Sequence, residues 1–306
     1  MIAKNSIFTS VLVVGCVIIL VSFAIRSSFG VFQIPIAEEF NWLRSEFSLA
    51  IALQNLAWGI GQPIFSAIAE KIGDRRAIII GGFTYASGLL LSSAAMTPQA
   101  HQIYEILVGF GVAGTGFGVI LAVVGRASSE KNRSMSLAIA TASGSAGQVI
   151  GAPIGELLLN YMPWQSVFVI FSITILSTLL LLPFMRVSVS VNQRNATKNM
   201  RDLVGRAIVD PSYSMIFLGF FSCGYQLGFL TAHFPAFVTE MCNPILPGSG
   251  IYNLGITSTS TLGAISISLI GLANIAGTLG AGYLGKTLSL IHISEPTRLR
   301  RISYAV

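Results

Sequence analysis

The residue whose type and position could do chemistry most directly is Arg26, set between Ile25 and Ser27 deep inside a long apolar run. A guanidinium in hydrocarbon costs at least about 2.5–3.5 kcal/mol on insertion scales. It must therefore face a water-filled cavity, pair with a neighbour, or snorkel to an interface. As a planar, permanently charged five-donor group it suits a carboxylate ligand held by two parallel hydrogen bonds. Neutral polar residues in other apolar runs could complete a pocket around it: Gln54, Asn55, Gln148, Tyr225, Gln226, His233 and Asn274. Each needs a hydrogen-bond partner where water is absent, and either a ligand or a neighbouring helix can supply it. Arg26, Asn55, Gln148, Tyr225, Gln226 and Asn274 are the expected substrate-binding set. Glu105 and Glu156 are the carboxyl groups that fall within apolar sequence, and Glu156 is the candidate for coupling to a proton. No cluster has metal-ligand spacing, and no nucleophile is paired with a base. Gly111-Val-Ala-Gly114-Thr-Gly116 has neither a preceding strand nor a Lys, so it is not a phosphate loop. No cofactor is implied, and an enzyme is not expected.

The elements that must position these residues follow from composition. Of 306 residues, 53% are hydrophobic and 10% charged, against roughly 25% charged in a soluble domain. A soluble enzyme, a disordered chain and a disulfide-stapled secreted domain are therefore excluded, and the three cysteines (Cys16, Cys223, Cys242) read as structural. A membrane-spanning helix needs about 20 apolar residues. Eight runs qualify: 8–35, 47–69, 77–97, 103–125, 135–160, 165–185, 215–238 and 262–284. They are long and continuous, without the two-residue alternation of barrel strands. Glycine, with 31 copies, suits helices packed on small residues. Thirteen Lys and Arg fall in one alternating set of connecting segments and Arg44 alone in the other. By the positive-inside rule the amino terminus and the segment 187–214 are expected in the cytoplasm of a bacterial inner membrane protein. The net charge of +6 is thus a topological signal and not a nucleic-acid patch.

Organisation follows from the same pattern. Residues 1–186 hold six runs, 187–214 form a polar basic linker, and 215–287 hold two more runs. Six helices, a basic linker and a restart form the layout of a two-half secondary transporter. A faint repeat agrees: at a fixed offset Leu56, Ala57 and Gly61 match Leu272, Ala273 and Gly277.

The segment after the second run reads Ser66-Ala-Ile-Ala-Glu70-Lys71-Ile-Gly73-Asp74-Arg75-Arg76. It resembles the loop signature of the major facilitator superfamily, G-x-x-x-D-R-x-G-x-R-R, with Ser66, Glu70 and Lys71 replacing the usual Gly, Asp and Arg. Arg26-Ser-Ser-Phe-Gly30 and Cys223-Gly-Tyr225-Gln226 leading to His233-Phe-Pro235 look like the monocarboxylate and oxalate/formate branch. The resemblance implies an all-α membrane protein: a complete six-helix N-terminal half plus the first two helices of the C-terminal half. It implies a gating motif at Glu70, Lys71, Gly73, Arg75 and Arg76 that latches the halves on the cytoplasmic side in one state. It departs from the family at Glu105, where an Arg is common, and in the shifted Gly147…Gly151-Ala-Pro153-Ile-Gly155 stretch.

The function expected is secondary transport of a small organic anion, in the first instance a monocarboxylate, by alternating access with a coupled proton or an exchanged anion. The partners implied are the lipid bilayer and the small-molecule substrate, with no nucleic acid, in a monomer. A drug or sugar carrier of the same superfamily, or a non-transporting membrane sensor or structural fragment, are the alternatives. Residues 288–306 resemble an in-frame translation of a transposase sequencing adapter: a constant arm through Arg298, an index gap at Leu299-Arg300-Arg301, then Ile302-Ser-Tyr-Ala-Val306. On that resemblance the tail is non-native, and the natural protein is expected to continue into four further helices.

Overall fold

The computed structural model describes residues 7–185, 205 and 209–287, with the side chains of 285–287 left aside. Most of the expected linker 187–214 lies outside the described residues, with its last four residues already in a helix that starts at Pro211, and the tail 288–306 lies wholly outside them. Within them every regular element is helical, with no strand. In chain order the elements are α1 (Ser10–Phe40), α2 (Arg44–Ile72), α3 (Asp74–Ser93), α4 (Pro98–Thr115), α5 (Phe117–Ala127), α6 (Glu130–Leu159) and α7 (Trp164–Thr178). A 3-10 segment Leu179–Phe184 extends α7, and α8 (Pro211–Met241), the short α9 (Gly250–Asn253) and α10 (Thr259–Thr287) follow.

The helices start where local chemistry allows. The Thr9 hydroxyl accepts from the Leu12 amide at 3.1 Å. Asp210 does the same for the Ser212 amide at 2.8 Å, with Pro211 in the first turn of α8. Such caps satisfy amides that have no partner inside the helix. The turn between α2 and α3 is a single residue, Gly73, at φ 99°, a conformation that a side chain would strain.

All eight expected spans are present as helices, and the fourth is broken in two. Extended backbone at Gly116 separates α4 from α5, inside the run of glycines that sequence reading took as one continuous helix. Six of the eight spans are long and apolar enough to cross a membrane by length and composition. The other two, α2 and α3, carry charged termini (Arg44, Glu46, Glu70 and Lys71; Asp74, Arg75 and Arg76) and polar interior residues that shorten their apolar stretch.

Helices α1 to α7 pack around two apolar clusters. One gathers Ile18, Ile19, Phe65, Ile78, Ile120 and Val123. The other gathers Phe29, Phe32, Phe47, Tyr85, Leu89 and Phe168. Trp58 touches both. The outward faces are apolar too: Leu56, Ile60, Phe83 and Leu90 are exposed. A helical bundle apolar inside and out is built for lipid rather than water.

α6 is central. It lies against α1 on one side and α10 on the other. A Cβ added at Gly147 would sit 2.2 Å from the Leu20 carbonyl oxygen, and one at Gly151 would sit 2.0 Å from that of Ala24. Backbone-to-backbone contact of this kind is the small-residue packing of membrane helices. α8 touches α1 only along its second half, where Thr231, Ala232, Pro235 and Ala236 are buried. From Pro211 to Gln226 it is exposed apart from half-buried Ser214. The second unit is therefore closed against the first at the end bearing Arg44 and Glu240, which form an ion pair. At the opposite, basic end α8 alone splays away, while α10 stays packed on α6, where Ser134 Oγ donates to the Gly282 carbonyl at 3.3 Å.

Candidate functional site

Arg26 lies midway along α1 and is 6% exposed. Its Nη2 donates to the Asn55 Oδ1 of α2 at 2.7 Å. Asn55 is aimed by its own helix, donating through Nδ2 to the Ile51 carbonyl at 2.8 Å. The guanidinium lies over the indole ring of Trp58, 4.7 Å from the ring centre. Phe23 braces that ring edge-on at 5.7 Å. One hydrogen bond and one aromatic face hold the cation in place. Among the described residues no carboxylate forms an ion pair with it.

Arg26 opens onto a narrow cleft of about 10 Å³ between α1, α2 and α8, lined by Arg26, Phe29, Ile51, Gln54, Asn55, Thr231 and Ala232. That is close to the space of a single water and far below the ~300 Å³ lower limit of drug-sized pockets, so an anion enters only as α8 moves off α1. The cleft sits where α8 comes closest to α1, since a Cβ at Gly30 would meet the Thr231 carbonyl oxygen at 2.2 Å.

Other expected site residues are placed differently. Gln148 of α6 is buried, and its Nε2 has no hydrogen-bond partner. Tyr225 and Gln226 lie on the splayed half of α8, exposed and away from Arg26. Asn274 of α10 is exposed as well. The structure thus brings Arg26 and Asn55 together and leaves Tyr225, Gln226 and Asn274 outside the cleft. Glu156 is buried between the units, where it accepts from Ser260 Oγ at 2.8 Å and Thr261 Oγ1 at 3.1 Å at the start of α10. It serves there as an inter-unit acceptor and does not line the cleft.

Two features escaped the sequence reading. Trp58 was not singled out, although its spacing of three and four residues from Asn55 and Gln54 puts it on the same helix face. Gln54 was weighed as pocket filling, yet its Nε2 donates at 2.7 Å to Glu105 Oε2, which joins the cleft to a buried carboxyl group.

At the basic end the gating motif is arranged around a residue the sequence reading passed over. Asp74, the first residue of α3, pairs with Arg126 at the end of α5 at 2.5 Å. Arg75 Nε donates to the Met185 carbonyl at 2.7 Å, beyond the 3-10 end of α7. Glu70, Lys71 and Arg76 are exposed. Among the described residues the contacts of Asp74 and Arg75 lie within the α1–α7 unit, which they tie together. An acidic residue immediately after a turn glycine, at a helix start, was the available signal.

Comparison with known proteins gives a consistent picture. The family model described as Major Facilitator Superfamily matches residues 14–300, running past α10 into the terminal segment set apart above. The uncharacterized MFS-type transporter YcxA of Bacillus subtilis is 27% identical over 215 residues, 68% of this chain and 52% of that protein. Monocarboxylate transporter 13 of Bos taurus is 31% identical over 181 residues, 56% of this chain and 38% of that protein. The methyl viologen resistance protein SmvA of Salmonella typhimurium is 28% identical over 132 residues, 43% of this chain and 25% of that protein. The chain spans about half or less of the length of these relatives.

Proposed function

The chain belongs to the Major Facilitator Superfamily, a multi-pass membrane protein of a transporter family, and on that premise we propose that the protein carries a small organic anion, with a monocarboxylate as the first substrate class. The observation that supports this is Arg26: a buried guanidinium, pre-aimed by Asn55 and Trp58, facing a small cleft with no carboxylate of the described residues paired to it. An unbalanced cation in low dielectric attracts an anion strongly. A dicationic drug, the kind of compound in the name of the SmvA relative, would meet like charge there. A sugar offers no charge to balance the arginine. The name of the monocarboxylate transporter relative agrees with the anion reading.

The carrier is read as an alternating-access device in a bacterial inner membrane, with its basic end in the cytoplasm. Closure at Arg44–Glu240, with α8 standing off α1 at the basic end, is read as a state open to the cytoplasm on the α8 side. The substrate enters with a proton or in exchange for another anion. The test is binding of L-lactate to the purified full chain by calorimetry, followed by uptake into proteoliposomes. Losing charge-assisted hydrogen bonds of about 1.5–3 kcal/mol should weaken binding about tenfold to a hundredfold in Arg26→Ala. An Arg26→Ala protein that binds lactate like the parent ends this reading.

A further inference from the structure

Behind the cleft lies a second polar site, sealed from solvent, on the far side of Gln54. Glu105 of α4 is wholly buried. Its Oε2 accepts from Gln54 Nε2 at 2.7 Å and its Oε1 from Ser92 Oγ at 2.8 Å. The helices are locked at this level: a Cβ at Gly109, one turn on from Glu105, would sit 2.2 Å from the Gln54 carbonyl oxygen. The backbone of Gln54 is therefore held against α4, while its side-chain amide can still rotate. Gln54 also lines the cleft that holds Arg26.

Every group facing Glu105 from the packed helices can be named. From its own helix comes His101, 1% exposed, its Nε2 4.0 Å from Glu105 Oε1 and both ring nitrogens without a hydrogen-bond partner. From α3 come Ser92 and Tyr85, the latter interacting electrostatically with both Glu105 and Arg26. From α2 comes Gln54, while Glu46 is held by Gln102 at 2.7 Å nearer the helix start. From α1 comes Arg26, which interacts electrostatically with the same Tyr85. No Lys or Arg among the described residues forms an ion pair with Glu105.

We infer that Glu105 is a proton-loading site and that the Gln54 side-chain amide transmits its state to the anion cleft. The inference rests on the anion reading above. With Glu105 ionised, both its contacts donate to it, as observed, and the NH₂ of Gln54 is engaged by the carboxylate. A proton from water adds to one carboxylate oxygen and makes it an O–H donor. That donor needs an acceptor, and Gln54 supplies one by turning its amide about the last side-chain bond, so that O–H donates to Gln54 Oε1. The freed NH₂ then faces the cleft beside Arg26, as an extra donor for a carboxylate. Loading the proton thereby raises anion affinity, and by reciprocity bound anion raises proton affinity. No bond other than O–H is made or broken. Glu105 and Gln54 are positioning residues here: Glu105 acts through Gln54 and does not touch the anion.

The test uses the full chain in detergent with L-lactate as probe. Lactate affinity in the parent should rise about tenfold as pH falls through the titration of Glu105, the size of one added hydrogen bond to a charged group. Binding should take up a proton, read from the dependence of the calorimetric heat on buffer ionisation. Glu105→Gln and Gln54→Leu should each flatten the pH profile, and His101→Gln should leave it in place. Retention of the profile in Glu105→Gln, or its loss only in His101→Gln, overturns the inference while the anion site stands. Infrared difference spectroscopy across the same pH range needs no ligand. It should show a protonated carboxyl band that is absent in Glu105→Gln, together with a shift in the Gln54 amide band that is absent in Gln54→Leu. A carboxyl band without an amide shift means that Ser92 takes the O–H instead, which also overturns the inference. If lactate fails to bind at any pH, the anion reading falls, and the infrared titration alone decides whether Glu105 and Gln54 are linked.

Discussion

Replacing Gly151 by alanine tests the contact that fixes α1 against α6. The added Cβ would stand 2.0 Å from the Ala24 carbonyl oxygen and 2.5 Å from Ser27 Oγ. Carbon and carbonyl oxygen do not normally approach closer than about 3.3 Å, so the helices must part by roughly 1 Å along a crossing where the nearest neighbour is a backbone carbonyl. Overpacking of a tight core costs about 1–3 kcal/mol. The upper part of that range applies here because a carbonyl on a helix cannot rotate away. Gly155→Ala is a graded comparison: its Cβ would come closest to the Ser28 Cβ, at 2.9 Å, with side chains rather than backbone as neighbours, and a loss of about 1 kcal/mol is expected by the same rule. Gly59→Ala is the control, with nothing within 4 Å of the added atom. On helix propensity it should be neutral or stabilising by up to about 1 kcal/mol. The assay is thermal unfolding in detergent followed by helical circular dichroism. The expected order of midpoints is Gly59→Ala at or above the parent, then Gly155→Ala, then Gly151→Ala. Equal midpoints for Gly151→Ala and Gly59→Ala would refute the claim that close backbone approach holds these helices together.

Three further outcomes follow from the polar contacts. Asp74→Asn should lower stability by no more than about 1 kcal/mol, since the pair with Arg126 is partly exposed; a double-mutant cycle with Arg126→Gln should give a coupling energy of that size, and a zero coupling refutes the pair. Arg44→Glu should favour separation of α2 from the end of α8, and the double reversal Arg44→Glu/Glu240→Arg should restore protection of a cysteine placed at Thr231 against a water-soluble thiol reagent; failure to restore it shows that the pair does not close this end. Glu156→Gln should reduce stability by about 1 kcal/mol through weaker acceptance from Ser260 and Thr261 while leaving any pH dependence of lactate binding intact; a flattened pH profile would return the coupling role to Glu156.

Much of this molecule was legible in its amino-acid sequence because bilayer length and charge asymmetry act on whole segments. All eight expected spans are helices, and Arg26 declared itself as an isolated charge in apolar sequence. Asn55 was found because amides are rare in such runs. The break at Gly116 was hidden because glycines that permit close packing and a glycine that ends a helix look alike in a string. Tyr225 and Gln226 were chosen as counterparts of Arg26 by helix correspondence. Correspondence in sequence does not set the angle between α1 and α8, and the splay carries both outward. Asp74 was overlooked because Glu70 occupied the position the motif reserves for its acid, and only three-dimensional contact shows Arg126 reaching the neighbouring carboxylate. Glu105 was visible as an embedded acid, but its link to the cleft through Gln54 depends on the rotation of α4 against α2, which no local pattern encodes.

The stacking of Trp58 on Arg26 gives the cleft its own optical reporter. Indole emission responds to a cation lying against its face, so an anion that draws the guanidinium away should alter the brightness and colour of Trp58. The chain has three tryptophans, and the other two are occupied elsewhere. Trp42 is stacked on Phe40, and Trp164 donates through Nε1 to Glu39. Exchanging those two for phenylalanine would leave a single emitter in the wall of the cleft, and occupancy could then be followed in real time without a label.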